Sequence, residues 1–133
     1  GKEWNQLQNG HSIEFDGKII HPADVTGEKR AGKNIGISGD TRPTKLLAKF
    51  FENCDYLSFD STFSDELKDR ARETNHSTAR EAAEFAKKAG VEKLILTHFS
   101  ARYKNEDLLL DEAKKIHQST IAAKDLMEIE IHK

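Results

Sequence analysis

Three acidic or imidazole side chains stand at the ends of short apolar runs. Asp40 follows Asn34-Ile35-Gly36-Ile37-Ser38, Asp60 closes Tyr56-Leu57-Ser58-Phe59-Asp60, and His98 follows Lys93-Leu94-Ile95-Leu96-Thr97. Each run reads as a short buried strand. In open α/β sheets ligands bind at the C-terminal ends of strands, because the strand fixes the backbone while the next loop frees the side chain. Two carboxylates and an imidazole gathered at one such edge could hold a cation or move a proton.

Each residue also has a plainer reading. Asp40, in Gly39-Asp40-Thr41-Arg42-Pro43, alone suits a turn that caps the helix Pro43 would open; as a site residue it is a carboxylate able to bridge two cations. His98, in Leu94-Ile95-Leu96-Thr97-His98-Phe99-Ser100-Ala101-Arg102-Tyr103, alone suits a satisfied strand-end residue. Ser100, Arg102 and Tyr103 beside it add a hydroxyl, a fork of donors and a phenol, a set that suits a phosphate better than a core. His76, in Asn75-His76-Ser77-Thr78-Ala79, could simply flank a Ser/Thr cap, or act as a general acid at a helix start where phosphate oxygens are also favoured.

The elements that must carry these residues follow from pattern. Ser12-Ile13-Glu14-Phe15, the type I′ signal Asp16-Gly17 and Lys18-Ile19-Ile20 predict a hairpin within a hairpin-like stretch from Trp4 to Gly27, ended by Pro22. Glu28 to Lys33 is charged and glycine-punctuated. Leu46, Leu47, Phe50 and Phe51 predict a helix from Pro43 to Glu52. A second helix is predicted after a Ser77 or Thr78 cap, with an Ala79, Ala82, Ala83, Phe85, Ala86 stripe and a Gly90 stop. Asp107 to Ile116 reads as a third helix, Thr120 to Ala123 as a strand, and Met127-Glu128-Ile129-Glu130-Ile131 as an edge strand of period two. The alternation predicts an α/β sheet with helices on at least one face.

Composition narrows the class. The 133 residues match one domain with a real core; 33% are charged, mean hydropathy is −0.72, and no apolar run reaches the ~18 residues of a membrane span. Neither anchoring nor export is expected, and the cytoplasm is the expected location. Gly1, followed by a polar stretch without a helix start signal, suggests a beginning cut from something longer. Cys54 is the single cysteine, so no internal disulfide and no thiolate zinc site can form. A net charge of −2 requires any nucleic-acid contact to be local. His11, His21, His117 and His132 lie in polar segments without ligand spacing, and the Lys/Glu alternation from Glu81 to Lys93 reads as a solvated face.

Read together, Gly39-Asp40-Thr41-Arg42-Pro43, Asn75-His76-Ser77-Thr78 and Leu96-Thr97-His98-Phe99-Ser100-Ala101-Arg102-Tyr103 resemble the ribonuclease Z family in identity, order and spacing. The resemblance extends to the opening hairpin and to Lys33–Gly39. It implies an α/β fold forming the C-terminal half of a metallo-β-lactamase αβ/βα sandwich, a mixed sheet with helices on its outer face. Within it, residues 1–30 would form a returning hairpin segment and residues 31–133 the sheet-and-helix layer. It implies two zinc ions in the complete enzyme, with Asp40 bridging them and His98 binding one. It gives His76 the role of assisting the leaving group and Asp60 that of orienting His76. Arg42, Ser77, Thr78, Ser100, Arg102 and Tyr103 become candidates for substrate contact.

The implied activity is hydrolytic removal of the 3′ trailer from precursor tRNA, in a protein expected to be a homodimer. Two departures stand out. Phe59-Asp60-Ser61-Thr62-Phe63 occupies the place of the family's His-Glu-Ala-Thr stretch, so both its histidine and its glutamate are changed. The family's His-x-His-x-Asp-His motif and a further histidine ligand are absent. The chain is therefore expected to hold half a site, to need an N-terminal half as partner, and to be inactive alone. Two alternatives remain: a hydrolase of the same fold acting on a small phosphodiester or arylsulfate ester, and a catalytically incomplete binding or dimerisation fragment.

Overall fold

The computed structural model describes residues 1–28 and 31–132; Lys29, Arg30 and Lys133, which fall within the expected 1–30 and 31–133 segments, lie outside the described residues. The chain divides into two compact units, Gly1–Gly32 and Lys33–Lys133.

The first unit holds α1 (Lys2–Gln8), the antiparallel pair β1 (Ile13–Phe15) and β2 (Lys18–Ile20), and α2 (Pro22–Val25). The hairpin forms as its turn signal requires: Asp16 and Gly17 both have positive φ, at 50° and 71°. The helix α1 replaces the front of the expected hairpin-like stretch. It has no side-chain cap, so no start signal marks it, yet Lys2-Glu3 and Gln6-Leu7-Gln8 are good helix formers without period-two alternation. Pro22 opens α2 as its first residue while closing the hairpin.

The second unit is a four-stranded sheet in the order β3 (Ile35–Ile37), β4 (Tyr56–Asp60), β5 (Lys93–Thr97), β6 (Thr120–Ala122). All three pairings are parallel, so in the described residues the antiparallel component of the expected mixed sheet is the separate hairpin. Between the strands run α3 (Lys45–Phe50), a 3-10 turn (Asp65–Leu67) continuing into α4 (Lys68–Glu73), α5 (Ala79–Ala89) and α6 (Asp107–Lys114). In-register residues of parallel strands share a face. Leu57, Phe59, Leu94 and Leu96 point to one side and are buried with Phe51, Phe85, Leu109 and the alanines of α5. Alanine at Ala79, Ala82, Ala83 and Ala86 keeps that helix close to the sheet, and Phe85 stacks on Phe59 with ring centroids 4.5 Å apart.

Several expectations are corrected. The strand at Ile35–Ile37 is an edge strand whose flanking side chains are open, Ile37 to 74%; only Gly36 faces the core. A Cβ at Gly36 would lie 2.6 Å from the Phe51 ring, so the helix side of this strand admits no side chain. The helix α3 starts later than Pro43 because Thr44, not an Asp40-Thr41 turn, accepts the Leu47 N–H at 3.2 Å as its cap. Among the described residues no strand forms at 127–131. The chain turns at Lys124–Met127, with Leu126 at φ 61° and fully exposed, and alternation alone supplies no ladder partner. No described helix is long and apolar enough to cross a membrane.

Candidate active site

Because the four strands are parallel, their C-terminal ends share one edge of the sheet. Gly39, at φ 64°, turns the chain beyond β3 and delivers Asp40; Asp60 is the last residue of β4; His98, at φ 61°, is the first beyond β5. Asn75, at φ 58°, ends the segment that leads from α4 to α5 and presents His76. The chain positions that looked chemical are thus brought together by topology.

Asp40, His76 and His98 each offer one ligand atom, and these atoms lie within 4.8 Å of one another. Asp40 Oδ2 is 3.4 Å from His98 Nε2, and the His76 and His98 rings stack with centroids 4.9 Å apart and planes 22° apart. An oxygen and two imidazole nitrogens suit a borderline divalent cation such as zinc. The chemistry of this donor set fits the metal that the family resemblance implies. It also adds a third potential ligand, His76, to the two expected from sequence.

Beneath this group Asp60 is fully buried, and its carboxylate accepts four hydrogen bonds. Oδ2 takes Thr41 N–H at 2.9 Å and His76 Nδ1 at 2.8 Å; Oδ1 takes Thr62 N–H at 3.0 Å and the Thr62 hydroxyl at 2.7 Å. A charge removed from water needs this degree of satisfaction. The expected contact between Asp60 and His76 is therefore direct, despite the shorter side chain.

The six candidate substrate contacts divide. Arg42 is bonded within the fold: its guanidinium binds Glu81 through both terminal nitrogens and also donates to the His76 carbonyl, each contact at 2.6 Å. That fork is engaged in holding the Thr41-Arg42 loop against the start of α5, not free for phosphate. Burial alone would raise the Glu81 carboxyl, but the Arg42 guanidinium and the Thr78 N–H outweigh it and hold the group below the usual range. Ser77 and Thr78 are likewise bonded within the fold. Both are fully buried; Ser77 donates to the Thr41 carbonyl, while Thr78 caps α5 in a reciprocal box with Glu81. The Tyr103 phenol accepts the Ser64 N–H at 2.8 Å and donates to its hydroxyl, a bracing role.

Arg102 remains exposed, its guanidinium 5.0 Å from the Phe63 ring centroid and bonded to the Ser100 hydroxyl at 3.1 Å. Beside His98 lies an open depression of about 500 Å³ whose lining includes Ser100, Tyr103, Glu106 and Lys124. Of the histidines set aside, His117 is half-buried and structural: its ring bridges the Val91 carbonyl at 2.9 Å and Thr120 Oγ1 at 3.2 Å. Sequence reasoning missed Glu81 and Thr62 as site-building residues. Glu81 was legible only as the far half of a capping box, and Thr62 as an Asp-x-Thr turn.

No family model matches the chain. Whole-sequence comparison finds ribonuclease Z of Nitrosopumilus maritimus 61% identical over 131 residues, covering 98% of this chain and 44% of that protein. Ribonuclease Z of Archaeoglobus fulgidus is 48% identical over 132 residues, covering 98% and 43%. Among solved structures, the short form of human tRNase Z superposes with a TM-score of 0.62 at 31% identity, over 86% of this chain and 37% of that one. A metallo-β-lactamase fold protein from Bacillus subtilis gives 0.60 at 26% identity, over 66% and 35%. The chain spans less than half the length of the curated relatives it matches. The chain is thus similar to less than half the length of these ribonuclease Z proteins, and its fold is shared with the short form of human tRNase Z and with a metallo-β-lactamase fold protein.

Proposed function

We propose that this chain supplies part of the two-zinc catalytic centre of an endoribonuclease that removes the 3′ trailer from precursor tRNA. The observation that carries the reading is the convergence of Asp40, His76 and His98 above a fully buried, fully bonded Asp60. Asp40 and His98 would hold metal, with Asp40 as the bridge. When bound, zinc supplies Lewis acidity toward a phosphoryl oxygen and lowers the pKa of water. The chain's own residues do the rest. Asp60 takes the Nδ1 side of His76, leaving Nε2 to give a proton to the departing 3′ oxygen. Exposed Arg102 offers its guanidinium to a phosphate.

The remaining ligands, absent from this sequence, would come from an N-terminal half of the same fold, and the complete protein would act as a homodimer in the cytoplasm. Residues 31–133 would form the layer that carries the site, with 1–30 as a returning hairpin segment. A chimera in which this chain replaces the matching part of the Nitrosopumilus ribonuclease Z tests the proposal. It should cut precursor tRNA at the trailer junction, and His76→Ala should slow it by roughly 10²–10⁴-fold with metal retained. Asp60→Asn should cost less, and add almost nothing to His76→Ala. Cleavage of a small phosphodiester or arylsulfate ester but not of tRNA would favour another hydrolase of the fold. A folded chimera inert on all of them would leave a binding or dimerisation module.

A further inference from the structure

The hydrogen-bond chain under the site has a direction. A buried carboxylate surrounded by donors can only accept, so the Thr62 hydroxyl at 2.7 Å donates its one hydrogen to Asp60 Oδ1. That same hydroxyl oxygen lies 2.8 Å from His98 Nδ1, and with its hydrogen committed it can only accept there. His98 must then carry a hydrogen on Nδ1, and its Nε2 faces Asp40 Oδ2 at 3.4 Å. In the neutral Nδ1–H ring two acceptors would face one another there, where a cation would satisfy both.

We propose that Thr62 is a positioning residue of the metal centre: it relays the buried charge of Asp60 to His98 and holds that imidazole in the Nδ1–H form, with Nε2 free to bind metal. The proposal rests on reading Asp40 and His98 as metal ligands. Thr62 suits the task because it is itself 95% buried, its own N–H is fixed by Asp60 Oδ1, and the two-residue turn leaves its hydroxyl little freedom. One buried carboxylate thus sets both rings of the site, His76 directly and His98 through a hydroxyl.

The test uses the nitrogen-15-labelled chain without metal at about pH 9, where imidazoles are neutral. Long-range proton–nitrogen correlations identify which ring nitrogen of His98 carries hydrogen. Wild type and Thr62→Ser should show Nδ1–H, whereas Thr62→Val should move His98 to Nε2–H with the backbone spectrum otherwise preserved. Should Thr62→Val not fold, Thr62→Ala takes its place. In parallel, zinc competition against a chromogenic chelator in the chimera with the Nitrosopumilus N-terminal part should show Thr62→Ser near wild type and Thr62→Val weaker by roughly 10–100-fold. A wild-type chain with Nε2–H, or a valine or alanine variant that keeps Nδ1–H, overturns the relay. A tautomer that follows Thr62 without any change in zinc affinity leaves the relay but overturns His98 as a ligand, which separates this failure from that of the metal-centre reading.

Discussion

Arg42→Ala measures how strongly the site loop is clamped. The wild-type guanidinium makes three contacts of 2.6 Å, two to Glu81 and one to the His76 carbonyl, with the two side chains only 23% and 16% exposed. An exposed ion pair contributes about 0–1 kcal/mol, and breaking a fully buried one costs about 3–5. This pair lies between, so the expected loss is about 2–3 kcal/mol, read as a fall of roughly 1 M or more in the urea midpoint at unchanged slope. Glu81→Ala should overlap with it, leaving a coupling of about 1–2 kcal/mol in the double mutant. The pH dependence has a definite sign. The Glu81 carboxyl is lowered from 4.5 in the folded state, so its contribution is present above about pH 4.5 and is lost as pH falls through the lower folded value. The difference between wild type and Arg42→Ala should shrink in that acid range. An Arg42→Ala protein as stable as wild type but weaker in binding RNA would refute the clamp and favour the phosphate contact read from sequence.

In the chimera, Asp40→Ala and His98→Ala should each weaken zinc binding by ~100-fold or more, while His76→Ala should change it little; equal loss in all three by metal titration would make His76 a ligand, not the acid. Glu112 is pushed up by burial and by Asp65 and Glu66, against the Asp65 N–H it accepts. Its ionisation therefore opposes folding as pH rises through the raised value, and Glu112→Gln should raise the neutral-pH urea midpoint but not the acid one. Gly36→Ala should cost about 1–3 kcal/mol, because the new Cβ would sit 2.6 Å and 2.9 Å from the Phe51 and Leu57 side chains; an unchanged midpoint would mean that the Phe51 ring yields freely.

What could be read from the sequence was local, and what could not was separated along the chain. The α5 helix was legible at both ends because Thr78 with Glu81 and Gly90 at φ 70° are short-range signals. The strands at Tyr56 and Lys93 announced themselves as apolar runs, and their parallel packing placed Asp40, Asp60 and His98 at one edge. The Arg42 clamp was not legible because its partner lies 39 residues away, and an arginine after Gly-Asp-Thr looks the same whether its fork meets a phosphate or a glutamate. The buried bonds of Ser77 and Thr78 were hidden for a related reason: a cap and a ligand contact draw on the same hydroxyl chemistry. Ile35 and Ile37 read as buried because apolarity predicts preference, not whether a covering layer is present. The 3-10 turn and α4 went unread because Asp65 to Glu73 carries only Leu67 and Ala71 as apolar markers.

The left-handed backbone of His98 restricts which amino acids that position can accept. At φ 61° only glycine, asparagine, aspartate and histidine are at ease, and of these only histidine and aspartate bring a strong ligand atom. Under the metal-centre reading, the loop therefore narrows the accessible alternatives to a single exchange of nitrogen for a harder oxygen. His98→Asp should keep the fold and turn metal preference from zinc toward manganese or magnesium, and competition among the three ions would read it directly. A variant with unaltered ranking would show that ligand softness at this corner does not choose the ion. One backbone angle thus sets how far this centre can wander in metal identity by point mutation.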